Sequence, residues 1–226
     1  MTLEEAIAKI KPLDHNAMEI AQKRWDSIAK PLHSLGKLET LLIQIAGITG
    51  NAEVDLSRRG LIAMCADNGV VEEGVTQTGQ EVTAIVAENF LKYDTSVGVM
   101  CKQNHAEIFP VDMGMVTDTK VRTDHKIAYG TQNMTKGPAM TREQAVKGLE
   151  AGIDMVRELN DKGYRILATG EMGIGNTTTS SAVASVLLKQ PVEEMTGRGA
   201  GLTSEGLVRK INAIKKAIAL NEPDPE

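Results

Sequence analysis

Aromatic side chains make up only 3% of the 226 residues, cysteine occurs twice, and no stretch approaches the roughly 18 consecutive apolar residues of a membrane-spanning helix. The scarcity of rings leaves an aliphatic interior: hydrophobic residues amount to 42%, with eleven methionines available to fill irregular gaps. Cys65 and Cys101 have no paired spacing and lie in apolar runs, so both read as buried free thiols, and a reducing cytoplasm is the expected compartment. An excess of basic charge is also missing. Lys and Arg number 25 against 30 Asp and Glu, for a net charge of −5, which argues against the basic surface of a nucleic-acid-binding domain. The acidic start MTLEEAIAKIKP lacks the apolar stretch of a signal peptide. His15, His33, His105 and His125 show no ligand spacing, so no metal site is expected.

The length suits one α/β domain with a small appendage. Residues 3–10, 14–29 and 37–48 carry helical periodicity, with Asp14 as an N-cap and Pro31 as a stop. Residues 1–58 are therefore read as an N-terminal helical segment and 59–226 as an α/β domain. In the second part, short apolar runs at 61–66, 106–111 and 165–168, and a weaker one at His125–Tyr129, alternate with helical patterns at 81–91, 96–103, 141–162, 177–188 and 203–220. Strands alternating with helices imply a Rossmann-like parallel sheet with helices on both faces.

Three strand ends share one pattern: Asp67-Asn68-Gly69, Asp112-Met113-Gly114 and Glu171-Met172-Gly173. Each is expected to set a carboxylate and a glycine just past the carboxyl end of a strand, the edge where open parallel sheets bind ligands. Turn-forming and helix-capping acids are the alternative. The third junction runs on as Gly170-Glu171-Met172-Gly173-Ile174-Gly175-Asn176-Thr177 and enters a helix opening with five hydroxyl residues. Glycines admit close backbone approach, and a helix start offers unpaired N–H groups and partial positive charge, a combination suited to phosphate. Glu171 is expected to accept from ribose hydroxyls. The glycine spacing is neither a P-loop nor the dinucleotide fingerprint, and no Gly-x-Ser-x-Gly elbow is present. A second cluster, Gly197-Arg198-Gly199-Ala200-Gly201, precedes the helix bearing Arg209 and Lys210. It reads as a second anion-favouring helix start, with a solvated charge the alternative for Lys210.

The segments GEMGIGNTTTSSA at 170–182, ADNGVVEEGVTQTGQEVTA at 66–84, FPVDMGM at 109–115, TKGPAMT at 135–141 and TGRGAGL at 196–202 together resemble the nicotinate-nucleotide:dimethylbenzimidazole phosphoribosyltransferases of cobalamin biosynthesis. The resemblance runs in order from about residue 24 onward. It implies transfer of phosphoribose from nicotinate mononucleotide to 5,6-dimethylbenzimidazole or a related base, giving α-ribazole 5′-phosphate and nicotinate. It also implies a homodimer without a metal requirement; no cofactor is expected, and the charge balance and hydropathy leave no nucleic-acid or membrane partner expected. Carried onto this sequence, Glu171, Gly173, Ile174, Gly175, Asn176, Thr177, Gly199 and Lys210 would bind the phosphoribose, and Asp67 and Gln80 would flank the base. Departures occur at Pro31-Leu32-His33-Ser34-Leu35-Gly36, where the family has Pro-Pro-Gly-Ser-Leu-Gly, and at Asn68, where it has histidine. The family's general-base glutamate lies in a C-terminal portion with no counterpart here, so the catalytic residue is left unassigned. The chain is expected to be C-terminally truncated and nearly inactive as a transferase. A non-catalytic base- or nucleotide-binding protein of the same fold is the alternative.

Overall fold

The computed structural model describes residues 1–225, which fall into two compact units, Met1–Arg58 and Arg59–Glu226. The first unit is helical: α1 (Leu3–Ala8), α2 (His15–Ser27) and α3 (Lys37–Thr49). Thr2 and Glu5 form a reciprocal capping box on α1, and Asp14 caps α2 by accepting from the Ala17 N–H at 3.0 Å. Small residues let α2 and α3 meet: Ala17, Ala21 and Ala46 are buried, and a Cβ on Gly47 would lie 2.7 Å from the Met18 side chain. Helix α2 ends at Ser27, ahead of the Pro31 stop expected from sequence.

The second unit holds three parallel strands, β1 (Arg59–Ala66), β2 (Ala106–Gly114) and β3 (Ile166–Met172), in the order β2-β1-β3. Around them lie α4 (Glu81–Lys92), α5 (Ser96–Gln103), α6 (Arg142–Asp161), α7 (Asn176–Leu187), the short α8 (Val192–Met195) and α9 (Ser204–Asn221). Alternation along β1 gives each face its own core. Ala63 and Cys65 pack with Ala84, Ala87 and Phe90 of α4 and Cys101 of α5. Ile62 packs with Val111, with Met155 and Leu159 of α6, and with Tyr164. A third cluster joins α7 and α9 to Val70 and Val75 through Ala182, Ala213 and Ile214.

The α/β architecture, with parallel strands and helices on both faces, agrees with the sequence reading, but three local expectations do not hold. His125–Tyr129 is not a strand. That segment is irregular, held by the Ile127 N–H donating to Met113 O at 2.9 Å, and the nearby Val111–Arg122 pairing is an isolated bridge. Strands β2 and β3 also run on through Gly114 and Met172, so Asp112 and Glu171 are the closing residues of strands rather than residues past their ends. Only Asp67 follows its strand directly. Pro110 sits inside β2, tolerable because β2 pairs on one side only and the missing N–H need not face a neighbour.

Because the chain passes from β1 to β2 on one side and then to β3 on the other, the connections diverge above the carboxyl ends of β1 and β3. In such sheets a crevice opens at that point. The turns leaving β1 and β3, Asn68–Gly74 and Gly173–Gly175, stand over it.

Candidate functional site

A cavity of about 270 Å³ lies in that crevice. Its walls are the glycine turn with the start of α7 (Gly173 to Thr177), the loop Val75–Thr78, the segment Arg198–Ala200 with Leu202, and Lys210 from α9. No carboxylate is among the described residues that line it, whereas Arg198 and Lys210 both do.

The glycine turn is shaped by what surrounds it. A Cβ at Gly173 would lie 2.1 Å from the Ala66 carbonyl oxygen, closer than any real contact. Gly175 adopts φ +92°, a left-handed conformation that side chains resist, and serves as the N-cap of α7. Within the turn the Asn176 N–H donates to Gly173 O at 3.0 Å, and the Thr178 N–H to Gly175 O at 2.9 Å. The N–H groups of Gly175 and Thr177 have no partner among the described residues. They are the donors that a helix start leaves for an anion.

Lys210 supplies the charge. Its side chain is 1% exposed, with Nζ donating to the Thr177 hydroxyl at 2.7 Å and to Gly197 O at 3.2 Å. Burial lowers its pKa, and no acid among the described residues sits opposite to restore it. A buried cation satisfied only by neutral oxygens favours an anion beside it. Gly199, at φ +55°, closes over it. A Cβ there would come within 3.0 Å of the Thr177 hydroxyl and 3.5 Å of the Lys210 ammonium. Gln77 Nε2 donates to Gly201 O and ties the two loops that face each other across the cavity.

Seven of the eight residues expected to bind phosphoribose are thus together: Gly173, Ile174, Gly175, Asn176, Thr177, Gly199 and Lys210 line one cavity. Glu171 does not line it. It pairs in register with Met64, on the sheet face packed by α6, while the next residue, Met172, faces α4. One step of strand alternation therefore turns the Glu171 side chain away, and it is exposed. Nor do all five hydroxyls at 177–181 serve the cavity. Thr178 and Ser181 are buried and only Thr177 lines it, because consecutive helical residues fan around the axis.

The second helix start also differs from expectation. The Thr203 hydroxyl already accepts from the Gly206 N–H at 3.1 Å, so α9 is capped internally and contributes through Lys210, almost two turns on. Arg209 points elsewhere and donates to Gly74 O at 3.3 Å.

Of the two residues expected beside a base, Asp67 is fully buried and presents no surface to a ligand. Its Oδ2 accepts from the Val116 N–H at 2.9 Å, its N–H donates to Gly114 O and its carbonyl accepts from the Thr131 N–H, so it fastens loops together. Gln80 precedes α4 and donates from Nε2 to Asn68 O at 3.2 Å, close to the Val75–Thr78 wall without lining the cavity. The loop Val75–Thr78 falls within the 66–84 segment that carries the family resemblance, whose residues were expected to flank a base, although Gln77 was not named individually.

The family model described as Phosphoribosyltransferase matches residues 10–226. The protein of Ruminiclostridium cellulolyticum named nicotinate-nucleotide–dimethylbenzimidazole phosphoribosyltransferase is 51% identical over 227 aligned positions, covering 100% of this chain and 64% of its own length. The Clostridium tetani protein of the same name is 46% identical over 226 positions, covering 99% and 62%. A crystal structure of CobT from Thermus thermophilus superposes with a TM-score of 0.85 at 36% identity, covering 93% of this chain and 63% of that one. The chain thus spans somewhat under two thirds of the length of the relatives it matches.

Proposed function

Because the chain belongs to the nicotinate-nucleotide–dimethylbenzimidazole phosphoribosyltransferase family, we propose that it binds nicotinate mononucleotide in the cavity above β1 and β3 and serves transfer of its phosphoribose to 5,6-dimethylbenzimidazole or a related base. The observation that carries the reading is Lys210, a buried ammonium with no carboxylate against it among the described residues, beside the N–H groups of Gly175 and Thr177 that those residues leave unpaired. The phosphate takes these donors, and the glycines let it approach the backbone. In the transfer, the C1′–N bond to nicotinate breaks with its electron pair leaving on nicotinate. A benzimidazole nitrogen forms the new C1′–N bond, and the proton on the acceptor ring goes to a base. The cavity's contribution is to hold the phosphoribosyl end fixed while the bond exchange occurs, since orientation of bound reactants removes much of such a barrier. No residue of this chain is assigned as the base.

The proposal extends to a cytoplasmic homodimer, supported by the two free buried cysteines and by Val183, Leu187 and Leu188 exposed on and just after α7. Sedimentation at micromolar concentration showing only a 24.3 kDa species removes the dimer. No helix among the described residues is long and apolar enough to cross a membrane.

Titration calorimetry with nicotinate mononucleotide and with inorganic phosphate tests the binding. Saturable heat with both supports it, and no heat with either refutes it. Chromatography of a mixture containing 5,6-dimethylbenzimidazole then tests transfer. Binding with at most trace α-riboside phosphate agrees with the near inactivity expected from the sequence, and robust turnover by this chain overturns that expectation.

A further inference from the structure

The phosphate-binding turn is held by two side chains from outside it, and both act on one residue. Ile174 lies between Gly173 and Gly175, where the backbone has little to restrain it. Its N–H donates to the Thr83 hydroxyl on α4 at 3.0 Å, and its carbonyl accepts from Asn68 Nδ2, in the turn after β1, at 3.2 Å. The amide orientation of Asn68 follows from this contact, because a carbonyl can only accept. Thr83 is fully buried and Asn68 partly so, and both are distant in sequence from position 174.

Further groups surround each contact. The Thr83 oxygen accepts from Ile174, and the buried Asp67 carboxyl, whose Oδ1 has no hydrogen-bond partner among the described residues, lies close to it. Burial pushes the Asp67 pKa up, and the Thr83 hydroxyl and the Val116 N–H act against that. On the other side, the Asn68 carbonyl is held by Gln80 Nε2, and a Cβ on Gly175 would lie 3.2 Å from the Asn68 Cβ. The turn is fitted against Asn68 as well as bonded to it. Neither Asn68 nor Thr83 lines the cavity.

We propose that Asn68 and Thr83 are positioning residues that clamp the two peptide groups of Ile174 and so aim the Gly175 and Thr177 N–H groups at a phosphoribosyl phosphate. The inference rests on the cavity binding such a phosphate. With both of its backbone polar groups engaged, residue 174 cannot rotate either adjoining peptide without leaving a buried group unpaired. Without the clamp, the two glycines let the turn sample conformations in which the free N–H groups diverge, and the ordering is then paid on binding.

The test compares wild type with Thr83→Val, Thr83→Ser and Asn68→Asp. Val keeps the size of Thr83 and removes the acceptor, Ser restores the hydroxyl, and Asp keeps the size of Asn68 and removes the donor. Affinity for inorganic phosphate and for nicotinate mononucleotide is read by calorimetry, and hydrogen exchange of the Ile174 amide by NMR. The expected result is affinity about tenfold weaker or more for Val and Asp, about threefold or less for Ser, and faster Ile174 exchange in Val alone of the two Thr83 variants. Wild-type affinity in Thr83→Val, or a Thr83→Ser variant as weak as Val, overturns the clamp while leaving the site standing. Absence of binding in wild type overturns both. If Thr83→Val unfolds, Asn68→Asp and the Ile174 exchange in Thr83→Ser decide the question, and unchanged affinity in Asn68→Asp refutes it.

Discussion

Lys210 donates from Nζ to the Thr177 hydroxyl at 2.7 Å, and burial is the one influence that shifts its pKa. The pair joins the interior of α9 to the first turn of α7. It places a full positive charge next to a helix start whose backbone already favours anions.

Replacing Lys210 by Met is expected to have opposite effects on binding and stability. Phosphate and nicotinate mononucleotide binding disappears from calorimetry, while the ligand-free protein melts at a higher temperature, because a buried charge without an opposite charge costs more than a methionine of similar volume. A lower melting temperature in Lys210→Met contradicts this account of the site.

The same burial sets a pH dependence. The unfolded chain holds the Lys210 proton up to the ordinary 10.5, whereas the folded protein releases it at lower pH. Between those two points the unfolded state binds more protons, so this group makes folding more favourable as pH rises. Phosphate binding runs the other way, weakening as pH rises through the folded pKa. Calorimetric affinities across the alkaline range check this, and an affinity that stays flat until the ordinary lysine range sinks it.

Gly175→Asp is expected to abolish binding of inorganic phosphate. The position needs φ +92°, a Cβ there meets Val71 Cγ2 at 3.1 Å, and a carboxylate would face the bound anion. Ligand-induced stabilisation gives a second readout. A ligand at a hundred times its dissociation constant adds about 2.7 kcal/mol, so thermal melting with saturating phosphate should rise for wild type and stay fixed for Gly175→Asp.

Met155 is 1% exposed between Ile62, Val111, Leu159 and Tyr164. Met155→Ala should cost about 2–5 kcal/mol through lost contacts and the cavity left behind. In a chain of this size that lowers the melting temperature by roughly 4–20 °C. A change under about 1 kcal/mol in chemical denaturation would show that the face under α6 is not closely packed.

Most of the elements were legible from periodicity and caps, because a cap such as Asp14 announces its helix by local chemistry that does not depend on the rest of the fold. The glycine-rich turn and the second glycine cluster were legible for the same reason. What sequence could not show was side-chain direction. Glu171 sits beside the right residues, and one step of the pleat turns it away. Asp67 has the right chemistry but is enclosed by loops 114–116 and 130–131, whose paths follow from long-range hydrogen bonds. His125–Tyr129 alternates like a strand and lies along the outer edge of β2, but the Ile127 N–H to Met113 O bond alone does not make a ladder. Asn68 and Thr83 reach Ile174 across 106 and 91 residues, a pairing that only the folded sheet creates.

The absence of a Cβ at Gly173 also has a genetic meaning. Every other amino acid carries that atom, and here it would fall 2.1 Å from the Ala66 carbonyl oxygen, a backbone atom of the central strand that no rotamer change can move aside. A missense mutation in codon 173, whatever its product, must therefore push β1 and β3 apart at the mouth of the cavity. Gly197 offers a contrast only a few residues from the same cavity: its missing Cβ would meet nothing within 4 Å. In a library saturated at both codons, position 197 should drift freely through small residues, while position 173 should return the parental glycine alone.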